Sequence, residues 1–254
     1  MKALRRWGAA ALILGAAVAA VSCNEITAPL RPNGYAYWLY ATSVVANTDT
    51  IDGVIYTAGD TITDTVDFKW PTGSLPVRIW AESDSLGLPG HMSAAIATWK
   101  GILQYGEFDG VMVGDSTHAD IMVRDIAPPP MAPSVWSSRR LDASTSACEG
   151  ATDVPISVPD HRRLYTPLHI YIQTKYALSD TATVPCLARV AKHELGHALG
   201  LFQHSPNATD LMFAQPAVDE PSEADVATIL WVYHQPTKLR PVPAADSLTS
   251  APWH

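Results

Sequence analysis

The chain has 254 residues, of which 47% are hydrophobic, enough for one medium-sized domain with additions at its ends. Lys and Arg number 17 against 25 Asp and Glu, and the formal net charge is −8. This acidic balance excludes the basic surface by which proteins bind nucleic acid.

Residues 1–22 have the pattern of an export signal. Three basic residues come first, and an apolar, alanine-rich run follows over residues 8–21. The run is too short to span a membrane comfortably. Small residues then precede Cys23, which resembles the cleavage box of a bacterial lipoprotein, so Cys23 is predicted to become a lipidated first residue. Ordinary secretion after cleavage near Ser22 is the alternative.

Residues 23–67 are predicted to form a lipid-anchor tether followed by a small β segment. Asp52-Gly53 lies between Thr48–Ile51 and Val54–Thr57, which is a strong signal for a hairpin. No chemistry is visible in this segment. It is compatible with a stalk, with an extra sheet packed on the main domain, or with a pro-segment.

Residues 68–235 are predicted to form the main domain, of class α+β, with a twisted mixed sheet. Apolar residues recur at helical spacing from Met92 through Trp99 to Leu103 and predict a helix that faces the core. Five segments are predicted to be strands: Leu75–Ala81, Gly110–Gly114, Ala119–Asp125, Trp136–Ala143 and Leu168–Gln173.

Cys148 and Cys186 remain once Cys23 is assigned to the anchor. Two cysteines in an exported chain predict one disulfide. Cys186 comes shortly before His193, so this bridge would fix the start of the helix that contains His193. A role as zinc ligands is disfavoured, because no CxxC pair is present.

A helix predicted from Val184 contains the sequence His193-Glu194-Leu195-Gly196-His197. Residues four apart lie on one face of a helix, so His193 and His197 can bind one metal ion. Glu194 projects beside them, within reach of a water on that metal. The pattern predicts a metal-binding helix with an adjacent carboxylate.

The residues after this helix supply candidates for a third ligand. Gly200 can adopt a left-handed conformation, which would end the helix and turn the chain so that His204 reaches the same ion. Three imidazoles and one open position describe a catalytic zinc site, since structural sites are closed by four protein ligands. Asp210 is the main alternative to His204, and Gln203 is a weaker one because amides are poor zinc ligands.

The motif resembles that of the metzincin zinc peptidases, and within them the matrixin (matrix metalloprotease-like) branch. The family pattern is HExxHxxGxxH followed by a Met-turn. Its first histidine, glutamate, second histidine and glycine are matched position for position, and Met212 matches the Met-turn methionine. The family's third histidine falls on Gln203, so we interpret His204 as displaced by a one-residue insertion after Gly200.

The C-terminal part of the domain also resembles the matrixins. Ser222, with Asp225 three residues later, has the pattern of a capping box at the start of an apolar helix that ends at Tyr233. Residues 236–254 are rich in Pro, Ala and Ser and are predicted to be a flexible tail.

The resemblance implies a metzincin-like catalytic domain with an active-site helix and a C-terminal helix. It implies an exported, monomeric zinc endopeptidase that hydrolyses protein or peptide substrates with one Zn²⁺, a metal-activated water and Glu194 as general base. Met212 would lie beneath the site without binding the metal. Calcium is possible from the acidic loops but is not indicated, because no EF-hand spacing is present. The alternatives are a zinc-binding but inactive surface lipoprotein with a degenerate peptidase fold, and a structural or adhesive lipoprotein.

Overall fold

A computed structural model describes most of the main domain and four short strands before it. The described residues are 41–44, 48–51, 54–57, 63–83, 86–127, 136–144, 148–157, 162–174 and 183–244. The predicted export signal, Cys23 and the Asp52-Gly53 turn lie outside these ranges. The chain divides into two compact units, Met1–Arg31 and Pro32–His254, and every described residue belongs to the second.

Four short strands precede the main domain: β1 (Ala41–Val44), β2 (Thr48–Ile51), β3 (Val54–Thr57) and β4 (Thr63–Val66). β2 and β3 pair antiparallel, with Ile51 opposite Val54, as the predicted hairpin requires. β1 pairs antiparallel with β4 in a separate two-stranded sheet.

The main domain is α+β and is built on one mixed sheet of eight strands. They are β5 (Val77–Ala81), β6 (Gly110–Met112), β7 (Ile121–Arg124), β8 (Trp136–Ser144), β9 (Cys148–Ser157), β10 (Arg163–Thr166), β11 (Leu168–Thr174) and β12 (Arg240–Pro243). Seven of them follow the order β12-β10-β9-β11-β7-β5-β6, and β8 pairs with β9 off this path. The parallel pairs are β11 with β7, β7 with β5, and β5 with β6. β9 runs antiparallel to β11 and to β8.

Three α-helices accompany the sheet in the described part of the chain: α1 (Leu88–Ile102), α2 (Thr183–Ala198) and α3 (Glu223–Tyr233). α1 buries Met92 and Trp99 as its apolar spacing predicts, and the indole N–H of Trp99 donates to the carbonyl of Lys192 in α2 at 2.9 Å. α3 starts at the capping box of Ser222 and Asp225. Among the described residues, no helix has the length and apolarity needed to cross a membrane.

Three strands differ from the sequence-based expectation, because β9, β10 and β12 were not predicted. β9 was not predicted, because Gly150, Asp153 and Pro155 are poor strand formers; pairing with β11 and β8 on its two sides holds it in the sheet. The tail that is predicted to be flexible from residue 236 contains β12 (Arg240–Pro243), which pairs parallel with β10, so the prediction is wrong for these residues. Leu239, immediately before β12, is fully buried and anchors this segment to the core.

Gly200 ends α2 in a conformation that few other residues adopt. Its φ is 116°, and a Cβ at this position would overlap the carbonyl oxygen of Phe68. We therefore expect Gly200→Ala to lower the free energy of unfolding by more than about 2 kcal/mol in urea denaturation. Gly101→Ala is the matched control: Gly101 lies at an exposed position of α1 where a Cβ would meet nothing within 4 Å, so stability should rise slightly. Equal effects of the two substitutions would contradict this role of Gly200.

His169 on β11 makes stability depend on pH. Burial, and secondarily the charge of Arg124, lowers the pKa of His169 from 6.5 to about 4. The unfolded chain therefore binds a proton here between about pH 6.5 and 4 while the folded chain does not, so stability falls as the pH falls through this window. His169→Gln should remove up to about 1.4 kcal/mol per pH unit from the slope measured by urea unfolding. An unchanged slope would contradict the assignment.

Candidate metal centre

α2 brings two histidine rings into direct contact. His193 and His197 lie one turn apart and are both fully buried. Their Nε2 atoms are 2.9 Å apart, and the ring planes are at 81° to each other. The i, i+4 spacing therefore aims both side chains at one point, as the sequence predicts.

The segment after α2 brings His204 to the same point. Its Nε2 atom lies 3.3 Å from Nε2 of His197. His193, His197 and His204 each offer one nitrogen within 4.8 Å of the others, and together they form a group that could hold a metal ion. Among the described residues, no other group of three or more His, Cys, Asp or Glu side chains brings its donor atoms this close together.

Backbone hydrogen bonds fix the turn that places His204. The N–H of Leu201 donates to the carbonyl of Gly196 at 3.1 Å, which closes the end of α2 around Gly200. The N–H of Ser205 donates to the carbonyl of Met212 at 2.8 Å, so the residue after His204 is joined to the segment of Met212. The loop that contains His204 is therefore held at both of its ends by backbone hydrogen bonds.

Asp210 occupies a different position from the one a ligand would need. Its carboxylate is buried and accepts hydrogen bonds from the hydroxyls of Ser205 at 2.5 Å and Ser222 at 2.8 Å. It does not belong to the group of three histidines. Its contacts instead tie the loop behind His204 to the start of α3.

Two carbonyl groups set the orientation of the buried imidazoles. Nδ1 of His193 lies 2.6 Å from the carbonyl oxygen of Leu211, and Nδ1 of His197 lies 2.5 Å from that of Leu201. A carbonyl can only accept, so both Nδ1 atoms carry the proton. In a neutral ring this leaves a lone pair on Nε2, the atom that points into the histidine group.

The protonation state of His193 agrees with metal binding. Burial lowers the pKa of His193 to about 3, against a smaller raising effect of its bond to Leu211. The ring is therefore neutral near pH 7, and its Nε2 lone pair faces that of His197. Two acceptors this close cannot bond to each other, whereas a cation between them would bind both. The donor set thus fits a metal ion with an affinity for imidazole.

Asp225 holds the segment that orients His193. One carboxylate oxygen accepts from the N–H of Leu211 at 2.7 Å, and the other from the N–H of Met212 at 3.3 Å. Burial raises the pKa of this carboxyl group, while its three backbone bonds, including one from Ser222, oppose the rise. The sequence assigned Asp225 to the capping box alone; the structure adds its hydrogen bonds to the N–H groups of Leu211 and Met212.

Met212 lies against the metal-binding helix. It is fully buried, and a Cβ on Gly196 would come within 2.6 Å of its sulfur. Gly196 lies between the two histidines of α2, so the absence of a side chain there allows Met212 to pack directly beneath them.

Glu194 is buried against β9. Its carboxylate oxygen Oε2 accepts a hydrogen bond from the hydroxyl of Thr152 at 2.6 Å. Its side chain also lies over Gly150, where a Cβ would come within 2.8 Å of the Glu194 Cγ atom. Neither Gly150 nor Thr152 was predicted as a site residue, because β9 itself was not predicted.

Cys148 and Cys186 lie at disulfide distance, with their Cα atoms 6.1 Å apart. The pair joins the first residue of β9 to the first turn of α2. It therefore fixes the strand that contacts Glu194 to the helix that contains Glu194. Such a pair is typical of proteins in oxidising compartments.

No protein-family model matches the chain, and no curated protein matches it.

Zinc affinity distinguishes the candidates for the third ligand. We expect His204→Ala to weaken zinc binding by more than about 100-fold, because it removes a donor atom rather than an outer contact. Gln203→Ala should leave the affinity unchanged, and Asp210→Ala should weaken it less than His204→Ala. Competition with a chromophoric chelator measures all three. Unchanged affinity in His204→Ala would contradict the assignment.

Proposed function

We propose that this protein is an exported zinc endopeptidase of the metzincin class, of matrixin type. The observation that carries the proposal is the convergence of three imidazole nitrogens, two from an HExxH helix that also contains the buried Glu194, and one from the loop after it. Met212 beneath this helix adds support, since it occupies the place that the resemblance predicts for a Met-turn.

Zinc is the ion that the donor set favours. Three imidazoles, with no fourth His, Cys, Asp or Glu donor beside them among the described residues, suit a catalytic zinc ion, which would supply Lewis acidity and lower the pKa of a bound water to about 7. His193, His197 and His204 would hold it through Nε2. The carbonyls of Leu211 and Leu201 keep the first two rings in the tautomer that binding requires.

Glu194 performs the proton transfers in the proposed reaction. Its carboxylate accepts a proton from the attacking water and later delivers that proton to the nitrogen of the leaving amine. Because Glu194 is buried, the electrostatic interactions of its carboxylate in the proposed mechanism are weakly screened by solvent.

The sheet offers a place for an extended substrate. Trp136–Ser144 pairs along its length with β9, and within the described residues β8 has this strand as its sheet partner. Because a peptide can add to an exposed strand edge through backbone hydrogen bonds, we assign the substrate to the edge of β8. β8 corresponds to the segment Trp136–Ala143 that the sequence predicts to be a strand.

The setting of the proposed enzyme follows from its N-terminal sequence and its cysteines. We propose export, with Cys23 as a lipid anchor in the bacterial cell envelope, and secretion as the alternative. The cysteine pair agrees with an extracellular, oxidising setting. Protein or peptide is the proposed partner; nucleic acid is not, and the enzyme acts as a monomer.

Glu194→Gln tests the proposal. The amide retains the size of the side chain but cannot act as a base, so zinc content should stay at one equivalent while cleavage of labelled casein falls by about 100- to 10,000-fold. Glu223→Gln, at the exposed start of α3, is the matched control and should keep full activity.

Three outcomes have different meanings for this proposal. Equal activity of the wild type and Glu194→Gln would remove Glu194 from the mechanism. Zinc binding without cleavage by the wild type would leave a zinc-binding surface protein and overturn the endopeptidase. Failure of the folded protein to bind zinc would overturn both the endopeptidase and the zinc-binding surface protein.

A further inference from the structure

β9 passes directly over Glu194 of α2. Thr152, in the middle of β9, is fully buried, and its hydroxyl oxygen lies 2.6 Å from Oε2 of Glu194 and 3.1 Å from the backbone carbonyl oxygen of Glu194. A threonine hydroxyl has one proton, and the shorter distance indicates that the hydroxyl donates its hydrogen bond to the carboxylate oxygen Oε2. One hydroxyl thus contacts both the carboxylate and the backbone carbonyl of Glu194.

Gly150 adds a steric constraint on the same face of β9. A Cβ there would lie 2.6 Å from Oε1 and 2.8 Å from Cγ of Glu194, and would overlap Val190. A side chain at position 150 would therefore displace the glutamate. The bare backbone of Gly150 and the hydroxyl of Thr152 together form a cradle around the Glu194 side chain, which we call the carboxylate cradle.

The carboxylate cradle is fixed in place from three directions. Thr152 pairs in register with Ile170 of β11 and with Leu141 of β8. Cys148, on the same face of β9 as Gly150 and Thr152, lies at disulfide distance from Cys186 of α2. The strand therefore cannot shift along the helix without breaking sheet hydrogen bonds.

We infer that Thr152 is a positioning residue that holds the Glu194 carboxylate in its catalytic orientation, with Gly150 providing the room. The inference rests on the proposed function. A glutamate side chain has three rotatable bonds, and a base acts only when its oxygen lies within about 2.6–3.2 Å of the proton it accepts. A carboxylate has about four lone-pair sites, so the bond from Thr152 leaves capacity for a water proton.

Replacing the hydroxyl separates positioning from folding. Thr152→Val keeps the shape and removes the hydrogen bond, whereas Thr152→Ser keeps the hydroxyl. We expect Thr152→Val to lower kcat about 10- to 100-fold with little change in KM, and Thr152→Ser to recover most of the loss. Zinc affinity should stay at the wild-type value in both variants.

Thr228→Val is the matched control. It removes another buried threonine hydroxyl, one that bonds to Ala224 within α3, and it should leave kcat unchanged. Thr152→Ala provides a second hydroxyl-free variant should the valine fail to fold. It should show the same fall in kcat as Thr152→Val.

Inhibitor binding gives a readout independent of turnover. Acetohydroxamate on the zinc-loaded protein needs a hydrogen-bond acceptor beside the metal, which the positioned Glu194 supplies. Thr152→Val should weaken its affinity about tenfold, the equivalent of one hydrogen bond. Thr152→Ser should bind it as the wild type does.

The outcomes distinguish this inference from the proposed function. Wild-type kcat and hydroxamate affinity in Thr152→Val, with Glu194→Gln inactive, would overturn the role of Thr152 and leave the endopeptidase intact. Loss of zinc from Thr152→Val and Thr152→Ala would also overturn it, because the effect would then lie in the fold of the metal centre. A wild type that binds zinc but cleaves nothing would overturn the proposed function and this inference with it.

Discussion

The site depends on two backbone carbonyls that accept hydrogen bonds from buried imidazoles. The carbonyl oxygens of Leu211 and Leu201 each accept a hydrogen bond from the Nδ1–H group of one histidine of α2, and this leaves two Nε2 lone pairs facing each other. In a dry interior, two such lone pairs repel unless a cation lies between them. The capacity of this group to hold a metal ion thus depends on the backbone path as much as on the histidines.

The rest of the fold keeps these carbonyls and rings in place. Asp225 binds the N–H groups of Leu211 and Met212, so the capped start of α3 also holds the segment that orients His193. Gly200 lets the chain turn close to Phe68, and this turn sets both the carbonyl of Leu201 and the path to His204. On the opposite side, β9 and its cysteine pair fix the surroundings of Glu194.

The sequence predicted the parts of the site that follow from local periodicity. His193, Glu194 and His197 are fixed by helix geometry, and the spacing of Ser222 and Asp225 specifies the cap. Backbone acceptors such as the carbonyls of Leu211 and Leu201 have no sequence signal, because every residue carries one. Thr152 and Gly150 were missed because β9 contains poor strand formers and exists through its pairing. Every residue from 151 to 156 is buried, so β9 lacks the alternation of buried and exposed positions by which a half-buried strand is recognised in a sequence.

X-ray absorption at the zinc edge of the loaded, folded protein tests the central claim most directly. The account predicts one zinc ion per chain with three imidazole nitrogens at about 2.0–2.1 Å and one further light ligand from solvent. His204→Ala should reduce the imidazole count by one. Sulfur ligands, two or fewer imidazoles in the unaltered protein, or failure to bind one equivalent of zinc would contradict the account.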